Sequence, residues 1–411
     1  MDGHEETADV AVDGAMAFLN GGAARRAMRA RDPGEKHRAA TSLELLFDLC
    51  FVVAVGQASL SLRETVTAGH YTAGVVPFAI VFFSVWWAWM NFTWFASAYD
   101  PDDTPYRLAV FVQITGSLIL AAGVRRAFDG TDLTVITWGY VVMRTALAGL
   151  WLRAARADPE RRRTTLRFAL GVVACQIGWV ALLFLPGGMR LPGIAVLVVA
   201  EIAVPVWAQS AGMTPWHPRH IAERYELFTL IVLGESVASA TGAVRTAFDE
   251  HRGTGQLAAV AAGGLLMVFA MWWLYFARPA HTLLATTHRA AGRRFLWAYG
   301  HYLIFASAAA VGAGLAVNAD RVSHRAEVPA VAAGTLVAVP AAVFLVTVWA
   351  LHLRPHHRRP AESAPFLLAA ALVLLTVFSP APALATGAVL AALAVIVTVQ
   401  GGRAGADAGA D

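Results

Sequence analysis

Cysteine and the short motifs of common enzymes are nearly absent from this chain. Cys50 and Cys175 are the only two cysteines, and both lie within apolar runs, where a structural disulfide is not expected. The sequence has no Walker loop and no Gly-x-Ser-x-Gly, Gly-x-Gly-Asp, Cys-x-x-Cys or His-Glu-x-x-His motif. These absences argue against an ATP-driven pump, and no cofactor or metal site is predicted.

Charge is scarce as well, since 15% of the 411 residues are charged and 57% are hydrophobic. A soluble domain cannot bury so much apolar surface, whereas a bilayer absorbs it. The chain is therefore predicted to be an all-α polytopic integral membrane protein with about twelve transmembrane helices. Its apolar segments lie at about 43–62, 77–97, 106–126, 133–153, 165–185, 191–208, 222–241, 257–277, 294–317, 329–353, 363–379 and 382–400. The last two share a short Pro-rich link and form either two spans or one hairpin, which gives eleven or twelve.

The basic residues predict that both termini lie in the cytoplasm. Residues 1–42 form a basic tail without the apolar core of a signal peptide. We expect this tail to be a flexible cytoplasmic arm, either inert apart from its effect on topology or in contact with anionic lipid. With the tail inside, 23 of the 32 Lys and Arg residues fall on the inner side and eight on the outer side, in agreement with the positive-inside rule. The basic balance requires no nucleic-acid partner.

Two related stretches indicate an internal repeat. "LLFDLCFVVAVGQAS" begins at residue 46 and "RYELFTLIVLGESVAS" at residue 224, and Gly56 aligns with Gly234. The next helix also repeats, with Trp86 and Trp87 matching Trp272 and Trp273. An even number of helices per repeat makes the repeats parallel. We therefore predict six-helix repeats at 43–208 and 209–400, followed by a short tail at 401–411.

Three ionisable residues are predicted to lie deep in the membrane. Glu235 is about thirteen residues into its helix, which is roughly 20 Å of rise, and Glu201 and Arg144 are similarly deep. An acid at that depth costs roughly 2.5–3.5 kcal/mol and is rarely kept without a partner or a water path. Arg144 is the expected counter-ion of both acids. Together with Gln57, which matches Glu235 in the repeat, these residues form either a buried ion pair or a proton or ion pathway.

Four further acids are expected near the cytoplasmic ends of two helices. They form two pairs, which are Glu44 with Asp48 and Glu223 with Glu226. A carboxylate in the first turns of a helix is favoured by the helix dipole, so these acids are either dipole partners or members of salt bridges to interfacial arginines. In a lipid-modifying enzyme they would instead be a cytoplasm-facing acid cluster that holds a divalent ion.

Aromatic residues and one histidine complete the candidates. Trp86, Trp87, Trp272 and Trp273 are interpreted as core packing or an interfacial belt, or as a stacking site for a planar or cationic ligand. His301 is the one histidine deep in a helix, and it is either a packing residue or a proton relay.

Three of these motifs together resemble the motifs of one protein family. "ELLFDLCFVVAVGQ", the Trp-Trp-x-Trp helix after it and "ERYELFTLIVLGESV" at 223–237 resemble the bacterial low temperature requirement protein A family, from about residue 40 to 400. The resemblance implies a multi-pass protein of the bacterial cytoplasmic membrane that is linked to growth in the cold.

Three functions are compatible with these features. The first is a secondary transporter or ion-conducting protein for an unknown small solute or ion, with Glu235 as its protonatable coupling site and Arg144 as counter-ion. The second is a non-catalytic regulator or structural protein of low-temperature adaptation, and the third is an intramembrane lipid-modifying enzyme. Membrane lipids are the expected partners, and the oligomeric state is left open.

Overall fold

The computed structural model describes residues 26–32, 34–35, 38–130, 132–249, 254–286, 291–356 and 360–407. These residues are almost entirely helical, and no strand occurs among them. The α-helices within this part of the chain are α1 Ser42–Thr67, α2 Val75–Ala98, α3 Thr104–Gly130, α4 Thr134–Ala157, α5 Arg162–Leu182, α6 Gly187–Gln209, α7 Pro218–Asp249, α8 Thr254–Tyr275, α9 Ala280–Thr286, α10 Ala291–Val322, α11 Ala330–Val348, α12 Ala364–Leu375 and α13 Pro382–Asp407.

Most of these helices are long and apolar enough to cross a membrane. Eleven candidate spans occur among the described residues, and one of them, Gly255–Ala285, includes both α8 and the short α9. The long helix α7, which covers the predicted span at 222–241, is not one of the eleven. The predicted all-helical, multi-pass class is therefore confirmed, with eleven or twelve long apolar helices.

The last two predicted spans are separate helices. A 3-10 turn, Thr376–Phe378, ends the first, and α13 begins at Pro382. Proline is tolerated in the first turn of a helix because the N–H that it lacks has no partner there. The Pro-rich link is therefore a turn between two helices.

The end of α11 departs from α-helical geometry. Trp349–Leu353 form a π-helical turn, which is followed by the 3-10 turns Arg354–His356 and Pro360–Ser363. Such π turns are rare and are frequently found at functional sites.

The described chain forms two compact units. The first comprises Met1–Phe47, Ala88–Leu120 and Leu133–His217, and the second comprises Asp48–Trp87, Ala121–Asp132 and Pro218–Asp411. In the first unit, α5 packs against α4 and α6. In the second unit, α10 packs against α7 and α11, and α13 packs against α8. The six-plus-six repeat stays a prediction.

The described part of the N-terminal tail belongs to the first unit and packs against its other segments. The buried guanidinium of Arg38 donates hydrogen bonds to the carbonyls of Ala96 and Ser97, at the end of α2, where helix carbonyls lack intrahelical partners. Asp103 accepts hydrogen bonds from the Arg26 backbone and from the Arg153 side chain. A flexible arm was predicted over 1–42, whereas the described residues between 26 and 41 make these contacts. Residues 1–25, 33, 36 and 37 lie outside the described part of the chain.

Candidate functional site: the Gln57–Glu235 pocket

Gln57 and Glu235, the polar residues at matching points of the two sequence motifs, line the same pocket. It has a volume of about 390 Å³ and is formed by α1, α7 and α10 of the second unit. Glu235 is half-buried, whereas Gln57 is exposed, so the pocket is open on the surface of the helices.

A glycine makes room for the Glu235 side chain. A Cβ atom placed on Gly56 would lie 2.6 Å from Glu235 Oε1, which is well inside van der Waals contact. The carboxylate therefore occupies the space that any larger residue at position 56 would fill. The Gly-Gln sequence of the first motif thus provides, in adjacent residues, a gap for the acid and an amide beside it.

Glu235 has few polar partners. Ser239, one turn later on α7, donates a hydrogen bond of 3.3 Å to Glu235 Oε1. Among the described residues, no Lys, Arg or His nitrogen lies within 4.0 Å of this carboxylate. The predicted counter-ion Arg144 is paired with Glu201 instead. A carboxylate in such a position within a membrane requires water, a proton or a cation.

Close polar contacts between helices hold the pocket wall. Ser236 Oγ donates to the Ala308 carbonyl at 2.9 Å, and Ser59 Oγ donates to the Ala309 carbonyl at 3.2 Å. The approach of α7 to α10 needs a glycine, because a Cβ on Gly312 would lie 2.7 Å from Ser236 Cα. Small residues and hydroxyl groups are the usual means of packing helices in membranes.

An ion pair stands at one end of the pocket. Arg63, which lines it, donates two hydrogen bonds of 2.7 Å to the carboxylate of Asp320 on α10. This bidentate geometry is the strong form of the Arg–carboxylate interaction. Arg63 is thereby fixed in place and ties α1 to α10.

Glu201 and Arg144 form a separate polar cluster in the first unit. Arg144 Nη2 lies 2.7 Å from Glu201 Oε2, and both side chains are fully buried. Glu201 Oε1 also faces donors on Tyr140, Gln176 and Trp179, at 3.1, 3.4 and 3.3 Å. One carboxylate on α6 is thus bonded by side chains of α4 and α5, which matches the predicted buried ion pair.

The four acids of the predicted cytoplasm-facing cluster differ in burial and in their partners. Asp48 is fully buried and bonded to Arg224, at 3.0 and 2.5 Å, so it is not a solvent-facing carboxylate. Glu44, also buried, accepts hydrogen bonds from Thr41 N and Oγ1 in a capping box. Glu223 and Glu226 are half-buried. No group of three or more His, Cys, Asp or Glu residues suited to a metal ion occurs in the described part of the chain.

The two tryptophan pairs differ in their surroundings. Trp86 and Trp87 are buried and contact tyrosine rings of α10, with ring centroids 5.3 Å apart for Trp86–Tyr302. Trp272 and Trp273 are 43% and 47% exposed. The first pair is core packing, and the second presents its rings at the helix surface.

His301 has a partner that the sequence did not indicate. Its Nδ1 is 2.7 Å from the Trp297 carbonyl, and its Nε2 is 3.2 Å from His352 Nε2 and 3.1 Å from the Tyr275 hydroxyl. Because a carbonyl only accepts hydrogen bonds, Nδ1 carries the hydrogen. His352 lies in the π turn that follows α11 and is also buried.

Comparison with known proteins finds a family match and a relative. The family model described as "Bacterial low temperature requirement A protein (LtrA)" matches residues 39–399. An uncharacterized protein of Rhizobium meliloti (strain 1021) is 28% identical over 277 residues, which cover 63% of this chain and 64% of that protein. The chain therefore spans less than two thirds of the length of this relative. No solved structure matches the chain.

Proposed function

We propose that this chain, which belongs to the bacterial low temperature requirement A protein family, is a secondary transporter or ion-conducting membrane protein with Glu235 as its proton-binding residue. The family match over 39–399 confirms the resemblance predicted from the three motifs. The transport role rests on one observation, namely that Glu235 lines an open pocket without a cationic partner among the described residues.

The chemistry of the pocket suits a carboxylate that gains and loses a proton. An ionised carboxylate only accepts hydrogen bonds, whereas a protonated one also donates. The Gln57 amide and the Ser239 hydroxyl each contain a donor and an acceptor, so these neighbours are compatible with both states of Glu235. Proton binding would change the charge of the pocket by one unit, which is the change that couples a proton to a second solute.

The other deep acid is a poorer candidate for the coupling residue. Glu201 is fully buried and bonded by four side chains, of which one is the cation Arg144. Breaking such a pair by removing one partner typically costs 3–5 kcal/mol, because a charge is left buried and uncompensated. We therefore assign Glu201 to the stability of the first unit and Glu235 to transport.

The test is proton flux through the purified protein in liposomes. A pH-sensitive dye inside the vesicles reports flux under imposed ion gradients, and we compare wild type with Glu235→Gln. We expect at least a tenfold loss of flux in this variant. Glu223→Gln is the matched control, because Glu223 is a half-buried acid of the same helix that does not line the pocket, and it should retain flux.

Two results would contradict the proposal. One is undiminished flux in folded Glu235→Gln, and the other is the absence of flux in wild type with any common cation or anion. Either would favour the regulatory or structural function, for which the buried Asp48–Arg224 and Arg144–Glu201 pairs are the supporting observation.

A further inference from the structure

A second pocket lies at one end of the second unit. It has a volume of about 610 Å³ and is lined by the start of α8, the end of α10 and the turn after it, and the start of α13. Pockets of this size accommodate small molecules. All three chain segments adjoin loops that the distribution of basic residues predicts to be external, so the pocket opens on the predicted outer face.

Asn318 provides a polar atom of fixed orientation in this pocket. The residue is 1% exposed, and its Nδ2 donates to the carbonyls of Gly314 and Ala333, at 2.8 Å each. Because both partners are acceptors, the amide cannot be reversed, and Oδ1 must be the remaining acceptor of the side chain. Among the described residues, no donor bonds to Oδ1. Since Asn318 lines the pocket, this oxygen is available to an N–H or O–H group of a ligand.

Charges of both signs line the same pocket. Arg321 and Glu327 both contribute to it, and neither forms an ion pair within 4.0 Å in the described part of the chain. A tight turn brings them together, in which the backbone N–H of Arg325 donates to the Asp320 carbonyl at 2.8 Å and His324 has the uncommon φ of +57°. An unpaired guanidinium favours a carboxylate, and an unpaired carboxylate favours an ammonium group.

Apart from Gln256 and His324, the rest of the lining is apolar. Val260, Val328 and Leu384 lie on the wall, along with alanine and proline residues. A ligand that satisfies Arg321, Asn318 and the apolar wall therefore has an anionic group, a donor group and an apolar side chain.

We propose that this pocket binds a small zwitterion with an apolar side chain, of the class of the aliphatic amino acids. Its carboxylate lies against Arg321, its ammonium group against Asn318 Oδ1 and Glu327, and its side chain against the valines and Leu384. This binding site does not depend on transport through the Gln57–Glu235 pocket, so the two proposals stand or fall separately.

Equilibrium binding to the purified full-length protein tests the proposal, with L-leucine as the probe. Two analogues isolate the polar ends, because 4-methylpentanoate lacks the ammonium group and 3-methylbutylamine lacks the carboxylate. A site that bonds a polar group discriminates strongly against an analogue without it. We expect saturable binding of leucine and at least tenfold weaker binding of each analogue, measured by isothermal titration calorimetry.

Variants locate the binding within the protein. Arg321→Gln and Glu327→Gln should each weaken leucine binding at least tenfold, whereas Arg325→Gln, the matched control outside the lining, should not. Absence of leucine binding to folded wild type, equal binding of the analogues, or wild-type affinity in both lining variants would each overturn the proposal. A loss of binding in Arg325→Gln equal to that in Arg321→Gln would also contradict it, because it would point to the turn rather than the pocket.

Discussion

At the scale of single residues, the same Gly→Ala substitution is expected to affect stability differently at two glycines. A Cβ on Gly56 meets the far end of the flexible Glu235 side chain, whereas a Cβ on Gly139 would lie 2.5 Å from the backbone nitrogen of Leu120 and 2.6 Å from the Gly116 carbonyl oxygen. A side chain can move, but the backbones of α3 and α4 cannot separate locally. Overpacking of this kind costs about 1–3 kcal/mol.

We therefore expect Gly139→Ala to lower the unfolding temperature and Gly56→Ala to leave it nearly unchanged. Gly56→Ala should instead reduce proton flux, because it displaces the Glu235 carboxylate from the pocket. Tryptophan fluorescence follows unfolding in detergent, and the liposome assay follows flux. If Gly56→Ala proves as destabilising as Gly139→Ala, the space above Gly56 is part of rigid packing, and Glu235 is not free to move.

Residue-level partners were also the hardest feature to predict. The depth of Glu201 and Arg144 was readable from the spacing of apolar residues, and their pairing followed from the high energy of leaving either alone. A salt bridge from Asp48 to an interfacial arginine was one of the expectations, but Arg224 was not identified as that arginine, because both residues lie near helix ends, where a charge can reach water without a partner. Its position within the second motif, two residues before Glu226, was the available signal.

At the scale of elements, the segment around the end of α2 predicts a dependence of stability on pH. Burial, and after it the nearby carboxylate of Glu44, raises the pKa of Asp100, between α2 and α3, from 3.8 to about 6. The folded state therefore binds the Asp100 proton more tightly than the unfolded state. Stability contributed by this group is present below pH 4 and is lost as the pH rises from about 4 to about 6.

Asp100→Asn should remove this loss. The variant should be more stable than wild type above pH 6, by on the order of 2–3 kcal/mol at most, and the difference should shrink below pH 4. Unfolding midpoints measured from pH 4 to 8 check this, with Glu160→Gln as a control at an exposed acid. A constant difference between Asp100→Asn and wild type at every pH would contradict the assignment.

The helices themselves were predictable, unlike their irregular ends. Long apolar runs flanked by charges gave the approximate position of each span, because a bilayer requires about 20 apolar residues per helix. The π turn at Trp349–Leu353 could not be predicted, since it leaves the composition and the apolar pattern of the segment unchanged. The pocket likewise depends on which helices pack together, and a single sequence does not contain that information.

At the scale of the whole molecule, the predicted topology can be tested with single cysteines. The chain has only two cysteines, so a cysteine-free background needs two substitutions, and single cysteines can then be labelled with a membrane-impermeant maleimide. A cysteine at Glu160 should react only after the membrane is permeabilised, and one at Asp129 should react in intact cells. Both positions are exposed, with 83% and 69% of the side chain accessible. The opposite pattern would invert the orientation.

The Arg144–Glu201 pair also has a consequence for the order in which the helices enter the membrane during synthesis. Its partners are 57 residues apart in the sequence, and a ribosome adds about 5–20 residues per second, so α4 waits roughly 3–11 s for α6 to be synthesised. During that interval Arg144 carries a charge that costs roughly 2.5–3.5 kcal/mol in the centre of the lipid. We therefore expect lateral release of α4 from the translocon to be disfavoured until α6 has been synthesised, so that α4, α5 and α6 leave it together.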